Sequence, residues 1–199
     1  MHPIDHIKSF ARITPAIESR LLDIMTEQQM QRGDTVSGTA ASNYACFIVA
    51  GAARVFYTQR GVEHTVNFVF DNQYLVVQQT LLEKHGDTLT IEFLEPSTVI
   101  FAPHSQVRDE LELSQAVTGT EPVLFVNSAL MHYTRHLEEF LTVALTCNAR
   151  DRYLWAIKKF PRLTKCATLT QIASFLGMTK ETLYRLRASL DKETPHSGK

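Results

Sequence analysis

The 199-residue sequence contains no apolar run approaching the ~20 residues that a membrane-spanning helix needs, so no membrane association is expected. Its first ten residues include Asp5 and lack an apolar core, which argues against an export signal and makes the cytoplasm the expected location. Cysteine is scarce. Cys46, Cys147 and Cys166 are odd in number and far apart, which excludes a disulfide framework. It also excludes a zinc knuckle or an iron–sulfur loop, both of which need closely spaced thiolates. The three are expected to be free thiols, wholly or partly buried. Internal repeats and low-complexity tracts are absent. With 44% hydrophobic and 21% charged residues, the chain has enough apolar side chains to bury a real core.

An excess of one charge is also missing, since the formal net charge is −1, but the balance is local. From Asn148 to Lys199 there are eleven Lys and Arg against four Asp and Glu, a balance of +7, which leaves −8 on the rest of the chain. Such asymmetry points to a basic module that meets a polyanion, joined to an acidic body.

The pattern along the chain changes three times. Ile17 to Met25 reads as an amphipathic helix, with Thr14-Pro15 as its cap and first turn. From about Gln31 to Pro103, turn signals such as Gly33-Asp34, Gly51, Arg60-Gly61 and Asp71-Asn72 recur. Between them lie short runs of β-formers at 46–49, 54–57, 65–70, 89–94 and 98–101. Strands this short and frequent predict a small β-sandwich or roll. After Pro103 the helical period returns: a short helix over Val107 to Leu113, then a long one from Glu121-Pro122 to about Cys147. Leu130, Leu137 and Ala144 are seven apart on that helix, with Tyr133 and Phe140 between them and Leu141 alongside, an a/d-like seam. Packing of this helix on its own roll is the competing reading. Three further helical patterns follow, over Asn148–Phe160, Thr168–Leu176 and Thr179–Leu190.

The stretch from Thr168 to Arg187 carries the chemistry. Ile172, Ala173 and Leu176 form the inner face of one helix, and Ala173 is small enough for a second helix to cross closely. Gly177 falls where the chain must turn sharply and tolerates a left-handed conformation. Thr179 caps the next helix, on which Leu183 and Leu186 point back to the core. The outer side chains are Lys180, Glu181, Tyr184, Arg185 and Arg187. A helix entering a DNA major groove needs this arrangement. Arg pairs bidentately with guanine, Glu accepts from a cytosine amino group, and Lys and Thr hold phosphates. A plain αα-hairpin with a solvated charged face is the alternative; the helix-turn-helix offsets inside the +7 segment favour DNA.

These residues resemble the Crp–Fnr superfamily of bacterial transcription regulators, in the form common among Bacteroidetes-type members. The likeness runs through Arg152-Tyr153-Leu154, Pro161 and the sixteen residues from Ile172 to Arg187. It extends more weakly to Gly33-Asp34, Phe47 to Gly51 and Arg60 to Glu63, covering roughly residues 15 to 190. The resemblance implies an α+β chain with three parts. Residues 1–120 form an N-terminal antiparallel β-roll (a double-stranded β-helix), 121–147 a long dimerisation helix, and 148–199 an all-α helix-turn-helix domain. It implies a homodimer acting on double-stranded DNA with RNA polymerase, and no enzymatic activity. Lys180, Glu181, Thr182, Tyr184 and Arg185 would face DNA, with Glu181 and Arg185 matching the base-reading pair and Thr168 and Thr170 on phosphate; Thr179 and Arg187 complete the DNA-facing set. Leu130, Tyr133, Leu137, Phe140, Leu141 and Ala144 would form the dimer contact.

The chain departs from the family in three places. Relatives that bind cyclic nucleotides carry a Gly-Glu pair and a later Arg in a phosphate-binding cassette. The corresponding stretch, Tyr74 to Leu89, has neither, and Asp87 or Thr88 stands near the arginine position. An aspartate would repel a phosphate, so cyclic AMP is not expected to bind in the usual way, no cofactor is expected, and the effector is unknown. Gln78 and Gln79 are the weak polar candidates for another ligand. His132 and His136 share a helix face without a third ligand, so no metal is expected. Only nine residues follow Leu190, so the β-hairpin wing of many relatives is expected to be missing or vestigial. Two other readings compete: a cupin-like metal enzyme, for which no His-x-His with a nearby Glu is seen in the strand region, and a β-roll ligand-binding module that signals through protein contacts.

Overall fold

The computed structural model describes residues 2–9, 13–37, 43–75, 88–110 and 121–193. Two short helices come first, α1 (Pro3–Lys8) and α2 (Pro15–Ile24). Thr14 caps α2 as its sequence predicts: its hydroxyl accepts the Ile17 N–H at 3.3 Å, and Pro15 follows in the first turn. Eight strands come next: β1 (Thr26–Met30), β2 (Thr35–Ser37), β3 (Tyr44–Ala50), β4 (Ala52–Gln59), β5 (Val62–Phe70), β6 (Gln73–Leu75), β7 (Thr88–Phe93) and β8 (Ser97–Pro103). The chain then returns to helix in α3 (104–110), α4 (Glu121–Thr146), α5 (Ala149–Lys159), α6 (Leu163–Cys166), α7 (Leu169–Phe175) and α8 (Lys180–Glu193).

The strands form two four-stranded sheets, ordered β1-β8-β3-β6 and β2-β7-β4-β5, with every recorded pairing antiparallel. This is the expected α+β architecture with an N-terminal roll. All five predicted strand runs fall within β3, β4, β5, β7 and β8, apart from Leu94, which lies one residue beyond β7. Three strands carry no clear sequence signal. β1 reads Thr-Glu-Gln-Gln-Met, lies at a sheet edge and is mostly exposed, so it lacks the alternation that marks a half-buried strand. β2 and β6 have only three residues each.

Between the sheets, side chains such as Ile48, Val55, Val69, Ile91 and Val99 make a closed apolar core. β4 departs from simple alternation. Ala53 and Val55 face that core, yet Ala52, Arg54 and Phe56 on the opposite side are buried as well. A strand of an antiparallel sheet buried on both faces needs a second layer over it. That layer is the C-terminal helices: Ala52, Phe68, Phe70 and Leu94 share one core with Phe160, Leu163, Ile172 and Phe175.

Two turns decide how the strands meet. Arg60 and Gly61 both have positive φ (51° and 78°) between paired Gln59 and Val62, the two-residue hairpin turn whose twist suits the flanking strands. Gly51 joins β3 to β4 at φ 121°, and a Cβ there would lie 2.1 Å from Ser97 Oγ and 2.8 Å from Ser97 Cα. The clash involves backbone, so it cannot be relieved by turning a side chain. Gly51→Ala is therefore expected to destabilise the fold by about 2–4 kcal/mol; denaturant unfolding measures it, and an unchanged midpoint would contradict this account of the turn.

Candidate nucleic-acid interface

The candidate interface lies on α7 and α8. Thr168 caps α7: its hydroxyl accepts the Gln171 N–H at 3.3 Å, while the Gln171 side chain accepts the Thr168 N–H at 2.8 Å. The helix ends at Gly177, φ 62°, with Met178 N–H on the Ala173 carbonyl and Gly177 N–H on the Ser174 carbonyl. This pair of bonds satisfies the last carbonyls and needs the left-handed residue that glycine supplies. Thr179 then caps α8, its hydroxyl accepting the Thr182 N–H at 3.1 Å.

The turn sets the two faces of α8. Leu183 is fully buried, with Leu186 and Leu190 packed beside it. At about 100° per residue, Glu181, Tyr184, Arg185 and Ala188 lie opposite that stripe, and all four are exposed. Lys180 and Arg187 flank this face on one side and Thr182 on the other, also exposed. Thr168, Thr170 and Thr179 are exposed too. The predicted DNA-facing residues are thus all exposed, with the hydroxyls of Thr168 and Thr179 also serving as helix caps.

Two other cations of this segment are committed elsewhere. Arg162 pairs with Asp71 and Glu95 of the roll, and Lys159 with Glu139 of α4 at 2.5 Å. Sequence reading did not foresee this division of the +7 charge. Nor did it foresee Ser174, whose hydroxyl accepts the Thr65 N–H at 2.9 Å and donates to the Glu63 carbonyl at 3.2 Å, joining α7 to β5. Beneath them, buried Arg54 bonds Glu63 and Glu92, each at 2.5 Å, and lies 4.1 Å from the Phe56 ring centre. Glu92 in turn accepts from Gln171 at 3.4 Å. The one available signal was a charged residue inside a run of β-formers, Arg54 before Val55-Phe56.

The expected dimer seam divides. Leu137 and Leu141 are exposed, as is Leu145, and Ala144 is half-buried. Phe140, placed on the seam by heptad spacing, turns instead into its own chain, stacking on Phe175 at 5.1 Å and lying 6.2 Å from Trp155. It sits about 100° around the helix from Leu141, enough to leave the free stripe. The side chains of Leu130, Tyr133, His132 and His136 lie outside the described residues, as do Gln78, Gln79 and nearly all of the Tyr74–Leu89 stretch. Burial pushes the Cys46 thiol up to about 12 and also raises that of Cys166, so neither is a ready thiolate at neutral pH.

No protein-family model matches the sequence, and no curated protein matches it. Solved structures do. FixK2 from Bradyrhizobium japonicum superposes with a TM-score of 0.63 at 17% identity, over 88% of this chain and 90% of that one. A protein described as a transcriptional regulator of the crp/fnr family from Eubacterium rectale gives 0.64 at 13%, over 91% and 85%. The c-di-GMP responsive global regulator CLP of Xanthomonas campestris gives 0.63 at 8%, over 90% and 93%. The chain has the Crp/Fnr fold. At these identities the likeness is one of fold, and it runs through both the roll and the C-terminal helices.

Within this Crp/Fnr fold, the seam between roll and helix-turn-helix depends on Asp71. Burial works against its charged form, but the Gly51 N–H and the Arg162 guanidinium outweigh this and hold the carboxyl below its ordinary 3.8. A lowered folded-state value means that the stabilisation is present above the ordinary carboxylate range and is lost as pH falls through the folded value. Unfolding free energies of wild type and Asp71→Asn are expected to differ at pH 7 and to begin converging as pH falls below about 4. A difference that persists unchanged to pH 3 would contradict this role.

Proposed function

We propose that this chain is a homodimeric, sequence-specific DNA-binding transcription regulator of the Crp–Fnr superfamily and not an enzyme. The observation that carries the reading is α8: a capped helix with Leu183 locked inside and Glu181, Tyr184 and Arg185 free on the opposite face. Arg185 is suited to guanine and Glu181 to a cytosine amino group, while Lys180, Thr182 and Arg187 are suited to phosphates on either side, with Thr168, Thr170 and Thr179 nearby. Lys180→Ala/Arg185→Ala is expected to lower specific affinity by roughly 10²-fold or more while leaving thermal unfolding unchanged, because both side chains are exposed. Titration of a fluorescent duplex at fixed salt reads this, and unaltered affinity would remove the assignment.

Dimerisation is supported by the apolar stripe of Leu137, Leu141 and Leu145 on α4, which are 44%, 56% and 76% exposed. Side chains at i, i+4 and i+8 line one helix face, and a second copy of the same helix would cover it. Two recognition helices about 34 Å apart would then enter successive major grooves. Leu141→Glu/Leu145→Glu is expected to sediment as a monomer and to bind a two-half-site duplex roughly hundredfold more weakly; a dimer of unchanged affinity would contradict this interface.

The roll is read as a sensor whose nucleotide cassette is degenerate, because Tyr74 to Leu89 lacks the Gly-Glu pair and the arginine. Its effector is then something other than cyclic AMP bound in the usual way. RNA polymerase as a partner and the cytoplasm as the site of action belong to the same reading.

A further inference from the structure

Tyr184 differs from its neighbours on α8. The positions around it offer a carboxylate, a guanidinium, an ammonium group or the small Ala188. Tyr184 alone is large and partly apolar, and it is 67% exposed. With Leu169 from the start of α7 and parts of Lys180, Glu181 and Arg185, it lines an open depression of about 220 Å³ whose wall is mostly apolar. Long charged side chains lay their stems on apolar surface and keep their ends in water. The result is an apolar cup ringed by charged groups, on the face opposite Leu183.

A duplex drawn to Lys180 and Arg185 would present its major-groove edges to this cup. Among the four bases only thymine carries an apolar group there, the C5-methyl, and its neighbouring O4 is an acceptor. A tyrosine supplies an apolar ring and a hydroxyl donor in one side chain. We propose that Tyr184, with Leu169 beneath it, reads a thymine, its methyl seated in the cup beside the G·C pair read by Glu181 and Arg185. This rests on the DNA-binding reading above and names the base that it leaves open.

The test uses the full chain and the duplex it binds best from a random pool. Each thymine is replaced in turn by deoxyuridine, which removes the methyl and keeps every hydrogen-bonding group. One thymine per half-site is expected to show a three- to tenfold loss of affinity on replacement. Tyr184→Ala binds the two duplexes equally, and Tyr184→Phe keeps the preference. Because Tyr184 is exposed, its variants are expected to keep the wild-type melting temperature. Indifference of the wild type to every uridine, or Tyr184→Ala that still feels the methyl, overturns the proposal. So does a bound duplex with no recurring thymine, which leaves DNA binding itself intact. A pool that yields no bound duplex removes both.

Discussion

The ring of Phe175 sits where roll, long helix and helix-turn-helix meet, 5.2 Å from Phe68 on β5, 5.1 Å from Phe140 on α4 and 6.1 Å from Phe160 after α5. A fully buried aromatic at such a junction accounts for about 3–5 kcal/mol when its site cannot collapse, a large share of the stability of a domain this size. The helices from α5 to α8 share this core with the outer face of the roll. It explains why β4 is buried on both faces, why β5 carries Phe68 and Phe70 on its outer side, and why α7 lies against β5.

Polar contacts then give that apolar junction a direction. Aromatic packing alone tolerates sliding, whereas Ser174 on the β5 backbone, Gln171 on Glu92, and Arg162 on Asp71 and Glu95 fix one orientation of α7 on the sheet. With α7 set, the Gly177 turn and the Thr179 cap set α8, and the buried Leu183 decides which face is left outside. The acidic body neutralises Arg162 at this seam, while Lys180, Arg185 and Arg187 of the outer helix stay exposed. Charge asymmetry in the sequence therefore has two uses, one inside the molecule and one on its surface.

Much of this could be read from sequence because the features concerned are local. Thr14-Pro15, Arg60-Gly61, Gly177 and Thr179 act through their own backbone neighbours, so their chemistry is visible in a few residues. Short runs of β-formers located five strands for the same reason. The rest depends on distant partners. β1 is a polar edge strand paired with β8, and α1 has six residues with no long apolar period. Phe140 fits a heptad by spacing, but spacing does not say that the rings of Phe175 and Trp155 of the same chain lie a quarter turn away. The role of Arg54 follows only once Glu63 and Glu92, on flanking strands, are known to face it.

The central proposal is a roll-anchored helix-turn-helix that reads DNA sequence in two copies. Selection of the purified protein against a random duplex pool at fixed, moderate salt tests this most directly, since charge attraction alone enriches nothing. A two-fold symmetric motif whose half-sites lie about one helical turn apart is expected. A pool that stays random, or a motif without symmetry, would contradict it.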